Sequence, residues 1–302
     1  MKTVLVIGAV WPEPNSTAAG SRMLQLLDFF LVNNYKVNFA CAAAANSNTE
    51  ALEKKNVETR QILLNNSQFD DFLKEINPKI VIFDRFIIEE QYNWRVHKIC
   101  PHAFTILDTE DLHFLREFRR LRLKKPSVVS VRELEITKRE IASIYRCDLT
   151  LIISEEEMEI LRSEFHIPDE LLFYLPFLLD EIAPDFLSQL PNFSMRTDFI
   201  CLGNFRHAPN QDAVNFLKEK IWPEIHQTIP EAKMLVFGAY SNSGDQRFHD
   251  PAVNFYIKGY SPEVHQEMAN VRVQLAPLRF GAGLKGKFIT GLLAGTPAVT
   301  TG

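Results

Sequence analysis

The chain has 302 residues, 46% of them hydrophobic and 24% charged, which is longer than one domain usually needs and apolar enough for more than one core. A net charge of −5 with pI near 5.9 leaves no basic excess to neutralise phosphates, so nucleic acid is not an expected partner. Cys41, Cys100, Cys147 and Cys201 lie far apart without a C-x-x-C pair, a spacing that suggests neither a zinc site nor a disulfide framework and reads as reduced, mostly buried thiols.

Met1-Lys2-Thr3 runs directly into Val4 to Ala9, an apolar run too short for a signal-peptide core and of the right length for a buried strand. No window approaches the roughly eighteen apolar residues that span a bilayer, so any membrane contact is expected to be peripheral and the location cytoplasmic. Further strands are predicted at Lys36 to Ala40, Lys79 to Phe83, Ala103 to Leu107 and Leu149 to Ile153. Helical patterns fall between them at about Ala18 to Val32, Phe69 to Ile76, Glu89 to Ile99, Glu110 to Leu123, Val131 to Tyr145 and Glu155 to Glu164. Ser154 followed by Glu157 has capping-box spacing. Strands alternating with helices predict parallel sheets covered on both faces.

The periodicity lapses between Pro176 and Pro191 and then resumes, with strands at Phe199 to Leu202, Lys233 to Phe237, Val253 to Ile257 and Val271 to Leu275. Helices follow near Asp212 to Lys220, Glu263 to Ala269 and Lys285 to Leu293, and Pro297 to Thr300 begins a last strand. The expected organisation is a Rossmann-like domain at 1–180, a linker at 181–195 and a second Rossmann-like domain at 196–302, incomplete because a doubly wound domain would continue for another helix and strand.

The loop Pro277 to Lys287 follows an apolar strand and opens a helix. Gly281 and Gly283 let backbone approach a ligand, the helix N-terminus offers N–H groups, and Lys285 and Lys287 add charge. Those features fit a diphosphate; the plainer alternative is a tight turn with two solvated lysines. A P-loop is excluded by the missing G-K-[ST] spacing, and no D-x-D metal motif stands in a suitable loop.

Residues 277–301, PLRFGAGLKGKFITGLLAGTPAVTT, are similar to the donor-site signature of family 4-type GT-B glycosyltransferases, the glycosyl transferases group 1. Phe199 to Asn210 resembles the opening loop of that family's second domain, and Leu107 to His113 a segment of its first. The resemblance implies two Rossmann-like domains facing a cleft, a nucleotide-diphosphate sugar as donor substrate with no other cofactor, and a carbohydrate or lipid-linked acceptor with a hydroxyl. It places donor-binding roles on Gly203, Asn204, Arg206, Gly281, Gly283, Lys285, Lys287 and Thr290. Two departures stand out. The paired glutamates of many relatives are Ala282 and Thr290 here, and their arginine and lysine after the first donor-domain strand give way to Asn204 and the Pro209-Asn210 region.

In the first domain, Pro12 to Arg22 does not match G-x-G-x-x-G, which argues against a nicotinamide or flavin enzyme, and Gly20 and Arg22 are candidates for the cleft. Asp108, Glu110, Asp111 and His113 cluster at a strand end, where Asp108 or His113 could deprotonate an acceptor. The competing reading is an N-cap by Asp108 or Thr109 with acidic residues complementing the helix dipole. The basic run Arg116, Arg119, Arg120, Arg122, Lys124 and Lys125 fits a solvated helix face better than a lipid-binding one. The alternatives to a glycosyltransferase are a non-catalytic nucleotide-sugar-binding or scaffold protein, and a GT-B-like epimerase or phosphorylase.

Overall fold

The computed structural model describes residues 2–125, 127, 130–179 and 188–301. The chain forms two compact units, Met1–Leu178 with Ala282–Leu284, and Leu179–Gly281 with Lys285–Gly302. Of the expected linker, residues 181–187 lie outside the described residues.

The first unit is built on a parallel seven-stranded sheet of order β3-β2-β1-β4-β5-β6-β7. Its strands are β1 (Thr3–Gly8), β2 (Lys36–Cys41), β3 (Glu58–Gln61), β4 (Ile80–Asp84), β5 (Phe104–Asp108), β6 (Leu149–Ile152) and β7 (Leu172–Tyr174). Among the described residues the α-helices that connect them are α1 (Ala18–Val32), α2 (Ser47–Lys54), α3 (Gln68–Ile76), α4 (Phe86–Ile99), α5 (His113–Lys124), α6 (Glu135–Arg146) and α7 (Glu155–Phe165). β1 is buried on both faces: Leu5 and Ile7 join one core with Val81, Phe83 and Leu107, and Val4 and Val6 the other with Val37, Phe39 and Leu27. Each such side chain contributes about 1.5–3 kcal/mol on full burial.

The second unit carries a parallel five-stranded sheet of order β10-β9-β8-β11-β12, with β8 (Thr197–Leu202), β9 (Met234–Phe237), β10 (Phe255–Gly259), β11 (Val271–Ala276) and β12 (Ala298–Thr300). Trp222 sits at the centre of its larger core, packed edge-on against Phe199 and Phe255, with its indole N–H donating to Val253 O at 2.6 Å. The helix expected at 212–220 begins earlier, as Ala208–Phe216, and passes through a π-helical stretch, Leu217–Ile221, into Trp222–Thr228. Pro223 has no N–H to return to the preceding turn, which accounts for the irregular ladder there.

The strands β3 and β7 and the helix α2 go beyond the expected set. The last is opened by a capping box in which Asn46 Oδ1 accepts from Asn48 N at 2.8 Å and Thr49 Oγ1 accepts from Asn46 N at 3.0 Å. The helix expected from Glu110 starts three residues later, at His113, and that expected from Val131 is a short 3-10 turn, Val131–Glu133, followed by α6. The four cysteines are free and buried. Among the described residues no helix is long and apolar enough to cross a membrane.

Candidate functional site

In a doubly wound sheet, ligands gather outside the carboxyl ends of the strands where the winding reverses. In the second unit the strand order puts that reversal between β8 and β11. The two segments singled out in the sequence, 203–210 and 277–287, are the loops that leave those two strands.

After β8, Gly203 N donates to Phe237 O at 3.0 Å and Phe205 N to Ala239 O at 3.0 Å, so the loop stays paired with the chain leaving β9. This close approach needs glycine: a Cβ on Gly238 would lie 1.9 Å from Gly203 O. Asn204 Oδ1 accepts from Arg206 N at 2.8 Å, closing an Asx turn, and Asn204 O accepts from Asn210 Nδ2 at 3.0 Å. The Arg206 guanidinium is 3.8 Å from the centre of the Tyr240 ring, a cation–π contact on an otherwise exposed side chain.

After β11, the loop enters the helix Gly286–Leu293, whose N-cap, Lys285, makes no side-chain cap hydrogen bond. A Cβ on Gly281 would meet Lys285 Nζ at 2.9 Å, so glycine makes room for the lysine to fold back over the loop, and Gly283 adopts φ of +65°. Lys287 Nζ donates to Asn210 Oδ1 at 2.7 Å, which joins the two loops directly. Burial pushes the Lys287 amine down to about 8, with Lys285 adding to the effect and Cys201 opposing it. Thr290 Oγ1 bonds back to Gly286 O at 3.2 Å, so its hydroxyl serves its own helix. Of the predicted donor residues, Gly203, Asn204, Arg206, Gly281, Lys285 and Lys287 occupy these two loops and Thr290 follows one turn into the helix. Asn210, which the sequence reading placed only in a region of departure from the family, is the side chain that links them.

In the first unit the winding reverses between β1 and β4. Asp84 and Asp108 end β4 and β5 in register. Asp84 Oδ2 accepts from Ala9 N at 3.0 Å, anchoring the chain that leaves β1, and from Arg85 Nη1 at 3.2 Å. Arg22 is buried on α1; its guanidinium is ion-paired with Asp108 and donates to Leu175 O at 3.1 Å, with Glu110 Oε1 at 3.9 Å. Arg85 (φ +76°) and Glu110 (φ +61°) are both held in the left-handed region that non-glycine residues rarely adopt. Burial, then Asp108 and Asp84, hold the Glu110 carboxyl well above the usual carboxylate range against the pull of Arg22 and Arg85.

These placements correct several expectations. Asp108 is fully buried and committed to Arg22, so its carboxylate is not open to an acceptor, and Arg22 is an interior partner rather than a cleft residue. Gly20 has a packing role, because a Cβ there would fall 2.4 Å from the Glu13 backbone. Neither Asp108 nor Thr109 caps α5: the Thr109 hydroxyl donates to Leu151 O at 3.0 Å, and no acidic residue lies in the first turn. Remote carboxylates do the capping. Glu140 on α6 accepts from His113 N at 3.1 Å and Phe114 N at 2.8 Å, and Glu157 on α7 accepts from Leu112 N at 3.0 Å. The capping box expected at Ser154 is absent, since Glu157 is used elsewhere and Ser154 makes no side-chain cap bond.

His113 Nε2 lies 3.4 Å from Asp111 Oδ1, and Asp111 is also ion-paired with Arg116. The His113 ring meets Phe86 edge-on at 5.4 Å. Arg119 pairs with Glu156 and Arg120 with Glu117, so much of the basic run on α5 is engaged in surface ion pairs.

Residues 196–302 match the family described as glycosyl transferases group 1. They are a glycosyl transferases group 1 domain. With the two parallel sheets, the chain has the two-domain GT-B fold. Solved structures agree in fold. Anabaena HepE in complex with UDP and glucose aligns with TM-score 0.62 at 11% identity over 98% of this chain and 80% of its own. Sucrose-phosphate synthase from Thermosynechococcus elongatus aligns with TM-score 0.68 at 12% identity, covering 99% and 81%. A mutant of S. aureus TarM, in complex with fondaparinux, alpha-GlcNAc-glycerol and UDP, aligns with TM-score 0.71 at 9% identity, covering 99% and 85%. No curated protein sequence matches the chain.

Proposed function

We propose that this glycosyltransferase, of the family 4 type, moves a sugar from a nucleotide-diphosphate sugar to a hydroxyl of a carbohydrate or lipid-linked acceptor in the cytoplasm, without a metal. The observation that carries the reading is the meeting of Lys287, from the β11 loop, with Asn210, from the β8 loop, at the reversal point of the second sheet. A diphosphate there would be met by Lys285, Lys287, Arg206 and the N–H groups that open the helix Gly286–Leu293. Fixed cations and dipoles of this kind stabilise the charge that develops on the leaving diphosphate, the largest catalytic contribution to be expected of such a site. UDP in HepE and TarM makes a uridine nucleotide the first donor to test. Gly203 and Gly238 hold the loop after β8 tightly against the chain leaving β9.

On the acceptor side, His113 is the group proposed to take the hydroxyl proton, oriented by Asp111. Asp108 acts as a positioning residue: it fixes Arg22, and through Arg22 the charge around Glu110. The experiment is an assay of sugar transfer and donor hydrolysis over UDP-, GDP- and ADP-sugars with oligosaccharide and polyprenyl-phosphate-sugar acceptors. Turnover of one nucleotide sugar, lost on His113→Ala with donor affinity retained, is expected. Full activity of that variant would remove His113 from the reaction.

A further inference from the structure

Asn210 is held at both ends of its amide. Its Oδ1 accepts from Lys287 Nζ at 2.7 Å and its Nδ2 donates to Asn204 O at 3.0 Å, so donor and acceptor roles fix which way the amide points. Gly203 closes the remaining side, where a Cβ would fall 2.5 Å from Asn210 Cγ. A rigid, neutral amide oxygen is thus the hydrogen-bond partner of the Lys287 amine.

The charged and titratable groups acting on that amine are Cys201 of β8, whose thiol burial pushes up and so keeps neutral, and Lys285, a second cation. A partly buried ammonium with an amide for a partner and another cation nearby is poorly stabilised, because an amide cannot return the charge interaction that a carboxylate would. We infer that Lys287 is a proton-coupled ligand of the donor, taking a proton from solvent onto Nζ as the diphosphate binds, with Asn210 as the residue that positions it. This rests on the reading of the two loops as the donor site. One N–H bond forms on the neutral amine as a solvent or buffer acid gives up its proton, and the diphosphate supplies the countercharge that the Asn210 amide cannot. The burial that brings the amine down to about 8 puts the transition within reach of ordinary buffers. Above it, donor affinity falls about tenfold per pH unit, the linkage expected of one proton.

Titration calorimetry of UDP-glucose at about pH 8.5, in two buffers of different ionisation enthalpy, counts the protons; about 0.8 per site is expected if the amine titrates near 8 without the nucleotide and is fully charged with it. Lys287→Arg, whose guanidinium stays charged, should bind without proton uptake and with a flat pH profile. Asn210→Asp should also abolish the uptake and weaken binding roughly tenfold, since its carboxylate keeps the ammonium charged and competes for it. Lys285→Met should retain the uptake. Binding without proton uptake in the wild type, or uptake that survives Lys287→Arg or vanishes with Lys285→Met, would overturn the inference alone. Failure of UDP-glucose and UDP to bind at any pH would overturn the donor-site reading, and the inference with it.

Discussion

Glu140 accepts the backbone N–H of Phe114 at 2.8 Å across 26 residues of sequence, and it is fully buried while doing so. Burial raises its carboxyl to about 8, although the N–H groups of Phe114 and His113 favour the charged form. The folded state therefore binds a proton that the unfolded chain releases near the ordinary value of 4.5. This contribution to stability is fully present below about pH 4.5 and is lost as the pH rises to about 8. Over that window it amounts to about 5 kcal/mol, an order-of-magnitude figure. Glu140→Gln should flatten the decline of stability between about pH 5 and 8 in urea titrations, by up to about 1.4 kcal/mol per pH unit. Parallel curves for the two proteins would show that Glu140 does not carry the proton.

Arg22 and Asp108 form a buried pair, so removing one partner strands the other. Arg22→Met should cost about 3–5 kcal/mol of stability, and adding Asp108→Leu should recover much of it. Urea denaturation of the two variants decides. A loss under about 1 kcal/mol for Arg22→Met would mean that Asp108 is satisfied by other groups.

The approach of Gly238 to Gly203 leaves no room for a methyl group. Gly238→Ala should cost about 1–3 kcal/mol through overpacking. It should also weaken UDP binding, because the carbonyl it displaces belongs to the loop that holds Asn204 and Asn210. A variant with wild-type affinity for UDP would separate this loop from the donor.

Thr290 spends its hydroxyl on Gly286 O, where many relatives carry a glutamate. Thr290→Glu should tighten UDP binding roughly tenfold by adding a charged acceptor for the ribose hydroxyls. Unchanged affinity in titration calorimetry would mean that this face of the helix is not turned toward the sugar.

The buried strands were legible because strands covered on both faces are continuous apolar runs, as in Val4 to Ile7. β3 was not: its sequence, Glu-Thr-Arg-Gln, is polar because it forms a solvent-facing edge. α2 was missed although its Asn46 cap had a sequence signal, with Thr49 three residues on in place of the usual glutamate. The glycines and lysines of 281–287 stand out in the sequence because they are local. Asn210 was not, since its meeting with Lys287 spans 77 residues and depends on β8 and β11 lying side by side. The same holds for Arg22 with Asp108. In β4 and β5 alike an aspartate ends the apolar run, and that repetition is the signal that could have drawn attention to Asp84.

The most direct test of the account is UDP affinity in the full chain with Lys285→Ala and Lys287→Ala combined, measured by calorimetry at about pH 7, with thermal unfolding as the control. Two charge-assisted contacts are worth about 1.5–3 kcal/mol each, so the affinity should fall on the order of a hundredfold or more while the unfolding midpoint changes little. Wild-type affinity in a folded double variant would contradict the assignment of this loop to the donor diphosphate.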